Sequence, residues 1–585
     1  MASQNERTSE LTDEEVERQS ELQDSTEELP LLPSDPIPST WSPPPGFTLI
    51  QIAIMANVFL GGFDGTITAS TYAVISSEFN AANTASWLTT SYLITSTAFQ
   101  PLYGRFSDLL GRRACFFTAS ITFMAGCLGC ALARDVVFLN LMRALTGIGG
   151  GGLMTMATII NSDLIPFRQR GMYQAIQNVS YGFGGICGAS FGGSIVDSIG
   201  WRWCFLLQVP VSLFALVMGY LVLKFPANAA STLDQPRRSI WHQIDLLGAC
   251  LLILALSAQL VGLSLGGNLL PWTHVWVILP LMSSVVLVGA FVAVEATTTA
   301  VPLIPLKMLR GQLAISTQIA NVFVGMAAYA FLFTLPLMFQ VILLDSPSKA
   351  GSRLVIPCLF TPLGGLIAGI VMSRWGKLAY LVRTGAVLMF IGNLLVALLR
   401  FDDSQWKYFV FVIPANLGQG IVYPGLLFTF LAAFDHAGKL LSPPISAFRR
   451  QLYPWNLYTT KAIKLTLLTV TVPCTDHAVS ASTVYLVRSL GTVWGVAVTS
   501  TIMQNTLNSG LGEALSGIPD KWKLIDEIRH SVSAIYDLPP DVQMAARLVY
   551  YRGIRLSFIA SALFALAATV AALFTRGKGL ERAGK

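Results

Sequence analysis

Two ionisable residues, Asp64 and Arg143, interrupt long apolar stretches of the sequence. An ionised side chain in lipid is costly, so such residues usually face a partner or a polar cavity. Removal from water favours the protonated form of a carboxyl group, whereas a nearby arginine favours the carboxylate. A pair of this kind can bind and release a proton if its contact is made and broken. The alternative is a permanent structural ion pair.

Counting along the apolar stretches places the two charges at a similar depth. The stretch from 48 to 70 puts Asp64 about six residues, or roughly 9 Å, from its far end. The stretch from 136 to 158 runs in the opposite direction and puts Arg143 roughly 10 Å from the same surface. We therefore expect the two side chains to lie at one level of the membrane.

The composition indicates that the elements carrying these charges are membrane helices. The chain has 585 residues, of which 53% are hydrophobic and only 12% charged, with a mean hydropathy of +0.60. Soluble proteins carry about a quarter charged residues. Apolar runs of about 18 or more residues recur, and only helices or closed barrels satisfy their backbone in lipid. The runs are too long for barrel strands, so the sequence predicts an all-α polytopic membrane protein.

The apolar runs predict fourteen spans in a 6+2+6 arrangement. They lie near 48–70, 86–104, 114–133, 136–158, 171–195, 203–224, 244–265, 275–295, 314–339, 350–373, 379–399, 408–433, 479–503 and 554–575. The predicted units are an acidic tail (1–46), a six-helix bundle (47–224), a linker with two extra spans (225–300), a second six-helix bundle (301–575) and a short basic tail (576–585). The net charge of +6 sits mostly in loops, so we expect no nucleic-acid binding.

Charges in the loops of the first half predict which face is cytosolic. Eight basic residues lie on the side of the amino-terminal tail: Arg105, Arg112, Arg113, Arg168, Arg170, Lys224, Arg237 and Arg238. Only Arg134 and Arg202 lie on the opposite side. Because cytoplasmic loops carry an excess of lysine and arginine, both termini are expected in the cytosol.

Three motifs resemble those of one family of transporters. The turn containing Gly104, Arg105, Asp108, Gly111, Arg112 and Arg113 resembles the signature loop between helices 2 and 3 of the major facilitator superfamily. The glycines Gly184, Gly188, Gly192 and Gly193 resemble the antiporter motif of span 5, and Asp64 and Arg143 match charged positions of spans 1 and 4. Together they are similar to the fourteen-span drug:H⁺ antiporter branch. Leu109 and Ala189 depart from the motifs, where a basic residue and a proline are usual.

The resemblance implies a proton-coupled secondary transporter that works by alternating access, with the 104–113 loop as a conformational gate. Span 1, the segment leading into Gly104 and the tail most resemble fungal vacuolar basic amino-acid transporters. Alternatives are a plasma-membrane exporter of drugs or fungal metabolites and a non-transporting nutrient sensor. Candidate cavity residues, each of which could instead be a packing group, are Asn57, Gln318, Asn321, Asn416 and Tyr423.

Motifs of other function classes are absent from the sequence. It has no phosphate-binding loop of the Gly-x4-Gly-Lys-Ser/Thr type, no His/Cys metal cluster and no serine nucleophile motif. We therefore expect no enzyme activity and no cofactor. The expected partners are a cationic amino acid or drug-like solute, protons and the bilayer, and the chain is expected to be a monomer.

The amino-terminal tail is expected to be disordered and cytosolic. Residues 1–46 hold eleven acidic and two basic side chains, with many Ser, Thr and Pro. Such a segment cannot bury a core. Within it, Glu27, Leu31 and Leu32 resemble an acidic dileucine sorting signal read by adaptor proteins, although short matches of this kind also arise by chance.

Residues 438–475 interrupt the expected short loop before span 13, and we predict that they are a translated intron. Asp-His-Ala occurs at 435–437 and again at 476–478, and Ala437-Gly438-Lys439 can be encoded by a donor-like GCAGGTAAG. A lineage-specific insertion is the competing explanation, since loops tolerate insertions at modest entropic cost. Sequencing of cDNA across the junction is expected to join 437 to 476. Transcripts that uniformly retain the segment would contradict this.

Overall fold

The computed structural model describes residues 43–79, 87–223, 245–266, 270–298, 302–304, 311–345, 349, 353–440, 476–514, 525, 535 and 538–575. Apart from one bridge between Gly266 and Leu270, every regular element in these ranges is a helix. The sorting-signal candidates Glu27, Leu31 and Leu32 and nearly all of the 438–475 segment lie outside the described residues.

The helices of the first half are α1 (Phe47–Glu78), α2 (Trp87–Leu110), α3 (Arg112–Ala131), α4 (Val136–Leu164), α5 (Phe167–Ile199) and α6 (Gln208–Val222), with a short helix Arg202–Leu206 before α6. Two helices follow, α7 (Leu246–Leu265) and α8 (Val275–Thr297). The second half comprises α9 (Gln312–Ile342), α10 (Val355–Trp375), α11 (Leu378–Ala397), α12 (Val412–Leu440), α13 (Asp476–Ala514) and α14 (Pro540–Leu573), with a short helix Gln405–Val410 before α12.

Twelve helical segments of the described ranges are long and apolar enough to cross a membrane. The remaining two, α2 with 24 residues and α5 with 33, are equally long but more polar. Both lie against several other helices, so part of their surface faces protein rather than lipid. The predicted all-α membrane architecture is thus confirmed for the described residues, with twelve candidate spans and two further helices of membrane-spanning length.

The two halves repeat one packing pattern. In the first half α1 packs against α5 and α6, α4 against α2 and α3, and α3 against α6. In the second half α9 packs against α13 and α14, α12 against α10 and α11, and α11 against α14. These are the same five pairings with the helix numbers shifted by eight. Internal repeats of this kind are common in secondary transporters, whose substrates bind between the repeats. Helices α7 and α8 pack on each other, and α7 also contacts α2 and α13.

The halves meet near one end of the bundle, which we call the tail face: the end at which α1 begins and α14 ends. Here a Cβ on Gly104 of α2 would lie 2.2 Å from Oγ of Ser482 on α13. On the other side of the interface, a Cβ on Gly171 of α5 would lie 2.3 Å from the Met372 side chain of α10. Because backbone and side chains already touch at both seams, the molecule is closed toward the tail face. The opposite end is called the far face.

Helices α1 and α5 approach each other closely along a seam of glycines. A Cβ on Gly184 would lie 2.2 Å from the carbonyl oxygen of Phe59. At Gly188 the Cβ would lie 2.3 Å from the hydroxyl of Thr66 and 2.5 Å from the carbonyl oxygen of Phe63. Such separations exclude any side chain, and small residues of this kind allow membrane helices to pack with their backbones in contact.

The seam predicts that Gly188→Ala destabilises the protein, because a backbone carbonyl cannot move away from the added methyl group. Overpacking of this kind costs about 1–3 kcal/mol. Thermal unfolding of the detergent-purified protein measures the effect. Gly185→Ala is the matched control on the same helix, since its Cβ would meet nothing nearer than 3.6 Å. Equal thermal stabilities of the two variants would contradict the proposed seam.

Candidate functional site

Asp64 of α1 and Arg143 of α4 form a buried ion pair. Nη1 of Arg143 lies 2.9 Å from one carboxylate oxygen of Asp64 and 3.0 Å from the other. The two residues are 0% and 1% exposed. The structure therefore brings together the two charges that the sequence places at one depth, and each neutralises the other away from water.

Neighbouring groups complete the environment of this pair. Nε of Arg143 donates to the carbonyl oxygen of Leu88 in α2 at 3.2 Å, and the guanidinium lies 4.8 Å from the centre of the Tyr92 ring. The side-chain amide of Gln208, at the start of α6, donates to Asp64 at 3.3 Å. Gln208 was not predicted from the sequence, although a glutamine at the beginning of an apolar span was a signal that could have identified it. The pair thus joins α1, α2, α4 and α6.

The polar turn between α2 and α3 forms a second network at the tail face. Arg112 contacts Asp108 at 2.5 Å and Asp163 of α4 at 2.6 Å. The Arg112 guanidinium therefore bridges Asp108, near the end of α2, and Asp163, near the end of α4. Gly111 adopts a φ of +91°, which a side chain would strain, so the turn depends on glycine at this position.

The other arginines of the turn have separate partners. Arg105 is buried and donates through Nε to the carbonyl oxygen of Pro302 at 2.7 Å. Pro302 belongs to the segment that joins α8 to α9, so this bond connects the turn to the linker between the halves. Arg113 lies 5.1 Å from the centre of the Tyr220 ring of α6. The residues of this turn thus contact four parts of the fold: α4, α6, α13 and the segment that joins α8 to α9.

The antiporter-motif residues lie on α5. Gly184 and Gly188 form the seam with α1 described above, and the carbonyl of Gly192 faces the thiol of Cys204 at 4.0 Å. Gly193 also lies on α5. Helix α1 carries Asp64, and the glycine seam holds α1 directly against α5. Helix α5 in turn packs on α10 of the second half.

The five candidate cavity residues separate into two groups. Asn57 donates to Ser120 of α3 at 3.1 Å, inside the first half, and Asn416 donates to Val412 of its own helix at 2.9 Å. Neither contact faces the interface between the halves. The other three, Gln318, Asn321 and Tyr423, lie together in the second half around an arginine that was not among the predicted site residues.

That arginine is Arg488, about one third of the way along α13. Its Nε donates to Asn321 at 3.1 Å and its Nη2 donates to the carbonyl oxygen of Tyr423 at 3.1 Å. Asn321 is in turn 3.4 Å from Gln318. The signal for Arg488 was available, because it lies mid-span like Asp64 and Arg143 and the same cost of intramembrane charge applies to it.

Tyrosines from both halves line the space between the two charged groups. Tyr181 of α5 interacts electrostatically with Tyr92, Tyr329 and Tyr423. Tyr181 lies midway along α5, which packs on α10 of the second half, and the residue is 39% exposed. A series of tyrosines therefore lies between Arg143, which is beside Tyr92, and Arg488, which is beside Tyr423.

These features match a known class of membrane transporter. Residues 54–442 match the family model of the Major Facilitator Superfamily. The chain belongs to this superfamily and is a multi-pass membrane transporter of small solutes. In agreement with the helical architecture, a solved structure of the proton:xylose symporter XylE aligns with a TM-score of 0.51 over 91% of this chain and 97% of that chain, at 15% sequence identity.

Two sequence relatives place the chain more closely within the superfamily. It is 43% identical over 446 residues to vacuolar basic amino acid transporter 2 of Saccharomyces cerevisiae, covering 75% of this chain and 86% of that protein. It is 33% identical over 516 residues to multidrug resistance protein fnx1 of Schizosaccharomyces pombe, covering 88% and 90% of the two chains. The predicted kinship with amino-acid and multidrug transporters is thus confirmed.

The contact between α2 and α13 predicts that a cross-link between these helices blocks transport. The side chains of Gln100 on α2 and Ser489 on α13 meet at 3.2 Å. In a background without the native cysteines, Gln100→Cys with Ser489→Cys is expected to lose transport when the two thiols are joined by a short bifunctional methanethiosulfonate reagent, and reduction should restore it. The single-cysteine variants are the controls. Full transport by the cross-linked protein would show that the halves do not separate at this seam.

Proposed function

We propose that this protein exchanges protons for basic amino acids and carries them from the cytosol into the vacuole by alternating access. The observation that carries the coupling is the buried pair of Asp64 and Arg143. The similarity to a vacuolar basic amino acid transporter supports the substrate class and the membrane. The far face then corresponds to the vacuolar lumen, and the tail face, with its basic turn, to the cytosol.

The coupling mechanism follows from the surroundings of Asp64. In this closed arrangement Arg143 and Gln208 both donate hydrogen bonds to the Asp64 carboxylate. Exchange requires the proton to bind from the far face, while the tail face is closed, and to leave after the tail face has opened. A proton from the far face removes the charge of Asp64 and weakens its pair with Arg143, so α1 and α4 can separate as the tail face opens. Re-formation of the pair in the open state releases the proton to the cytosol.

A plasma-membrane exporter of drugs is the second candidate, and the similarity to a multidrug resistance protein favours it. The ion pair and the glycine seam would serve that function equally. The two candidates differ in location and in the solute carried. Vacuolar vesicles that accumulate lysine or arginine in a pH-dependent way support the first, whereas surface location with extrusion of apolar cations supports the second.

The coupling role predicts that Asp64→Asn loses uptake driven by a pH gradient, because the amide keeps the shape but does not titrate. Vesicles carrying the variant are assayed for labelled lysine uptake with an imposed gradient, after the amount of protein in the membrane has been matched. Exchange of lysine without a gradient is expected to survive. Uptake at the normal rate would show that the proton travels elsewhere.

Two further variants separate coupling from folding. Glu78→Gln is the matched control, because Glu78 also lies on α1 and pairs with an arginine, Arg202, at 2.9 Å, but is exposed at the far face. It is expected to retain gradient-driven uptake. Removing one member of a buried pair costs about 3–5 kcal/mol because the other charge is left unpaired. The double variant Asp64→Asn, Arg143→Gln avoids that charge and should fold but remain uncoupled.

A further inference from the structure

Arg488 carries a positive charge that the described residues do not neutralise. No carboxylate among the side chains that the structure describes lies within ion-pair distance of it. Its described electrostatic neighbours are the tyrosines Tyr329, Tyr423 and Tyr485. Arg143 of the first half, by contrast, has Asp64 as its partner. The second half therefore holds a cation within the membrane without a protein anion beside it.

The contacts of Arg488 hold the guanidinium in one orientation. It lies 4.1 Å from the centre of the Tyr423 ring and 5.6 Å from that of Tyr485. Nε and Nη2 donate to Asn321 and to the Tyr423 carbonyl, so Nη1 is left without a hydrogen bond to the described residues.

Two further buried donor groups lie beside Arg488. The hydroxyl of Tyr423 and the amide nitrogen of Gln318 are buried and have no hydrogen bond of good geometry to the described residues, although the side chain of Gln419 lies near the Tyr423 hydroxyl. Gln318 is joined to Arg488 through Asn321, which bonds to both. A buried donor without an acceptor costs about 1–3 kcal/mol, so a group of them indicates a missing acceptor. One cation and two neutral donors together suit an anionic oxygen ligand.

We propose that Arg488, with the Tyr423 hydroxyl and the Gln318 amide, binds the α-carboxylate of the transported amino acid. The inference rests on the proposed function and adds to it the part of the substrate that is recognised in the second half. A planar guanidinium can hold a carboxylate by charge-assisted hydrogen bonds. The substrate thereby supplies the negative charge that the protein lacks, while its cationic end faces the tyrosine-lined space. Solutes without a carboxylate leave Arg488 unpaired and bind weakly.

The test compares lysine with lysinamide, in which a neutral amide replaces the carboxylate. Proteoliposomes that contain the purified protein are assayed for uptake of labelled lysine, with unlabelled lysine or lysinamide added as the competitor. A hydrogen bond to a charged group contributes about 1.5–3 kcal/mol, so lysine is expected to compete about 10- to 100-fold better. The ratio of the inhibition constants of lysinamide and lysine measures this preference. In the Arg488→Gln variant it should fall close to one, because lysine binds more weakly while lysinamide binds unchanged. Arg488→Lys should recover part of the ratio.

Controls distinguish recognition from loss of structure. Arg547→Gln is matched to Arg488→Gln, because Arg547 of α14 also donates to backbone carbonyls, those of Val341 and Ile342 at 2.9 Å, but lies outside the cluster. It should keep the full ratio. Tyr423→Phe removes only the hydroxyl and should reduce the ratio several-fold while the protein remains folded. A wild-type ratio in Arg488→Gln, or a lost ratio in Arg547→Gln, would overturn the proposal.

A second readout separates this site from the proposed function. Protection against thermal unfolding is measured with hexanoate and with hexanamide, which share a chain and differ in charge. The site predicts that hexanoate alone protects, and only when Arg488 is present. If this holds while no basic amino acid is transported, the proposed function fails and the carboxylate site stands. If lysine is transported and neither readout depends on Arg488, the site fails and the function stands.

Discussion

The structure depends on the need to neutralise charge where water is absent. Asp64 and Arg143 are almost fully buried, and neither could remain ionised there alone. Their contact, together with the bonds from Arg143 to Leu88 and from Gln208 to Asp64, joins four of the six helices of the first half. A single electrostatic requirement therefore fixes how α1, α2, α4 and α6 are arranged around the interior.

Close helix packing is the second requirement, and it is met by glycine. Lipid chains are as apolar as leucine, so burial of apolar surface does little to drive membrane helices together. The contact between Gly188 and the backbone of Phe63 instead allows dispersion forces to act over short distances. The same geometry serves movement, because smooth backbone surfaces lack interdigitated side chains. At the tail face, Gly104 and Gly171 bring the two halves into contact in the same way.

The two halves share a packing pattern but differ in their charges. The first half contains an arginine with its own carboxylate, which makes a neutral pair. The second half contains Arg488 among tyrosines and amides, with no carboxylate beside it in the described residues. Under the proposed function, the duplicated scaffold divides its work, with the proton bound in the first half and the carboxylate of the solute in the second. This division agrees with binding between repeats near the middle of the membrane.

The sequence by itself determined the class, the number of helices and the depth of the charges. Hydropathy and helical rise are local properties, so the run around Asp64 and the run around Arg143 could be placed at one level without knowledge of any contact. The glycines of α5 likewise indicated close packing before its partner was known.

Only the tertiary structure decided which polar side chains meet. Asn321 and Arg488 are 167 positions apart, and Tyr423 and Arg488 are 65 apart. Whether such residues touch depends on how each helix is rotated about its axis, and hydropathy is nearly uniform around these helices. That is why Asn57 and Tyr423 looked alike in the sequence, although one packs within the first half and the other lies beside Arg488. Rotation is set by contacts between distant segments, and those contacts exist only in the folded bundle.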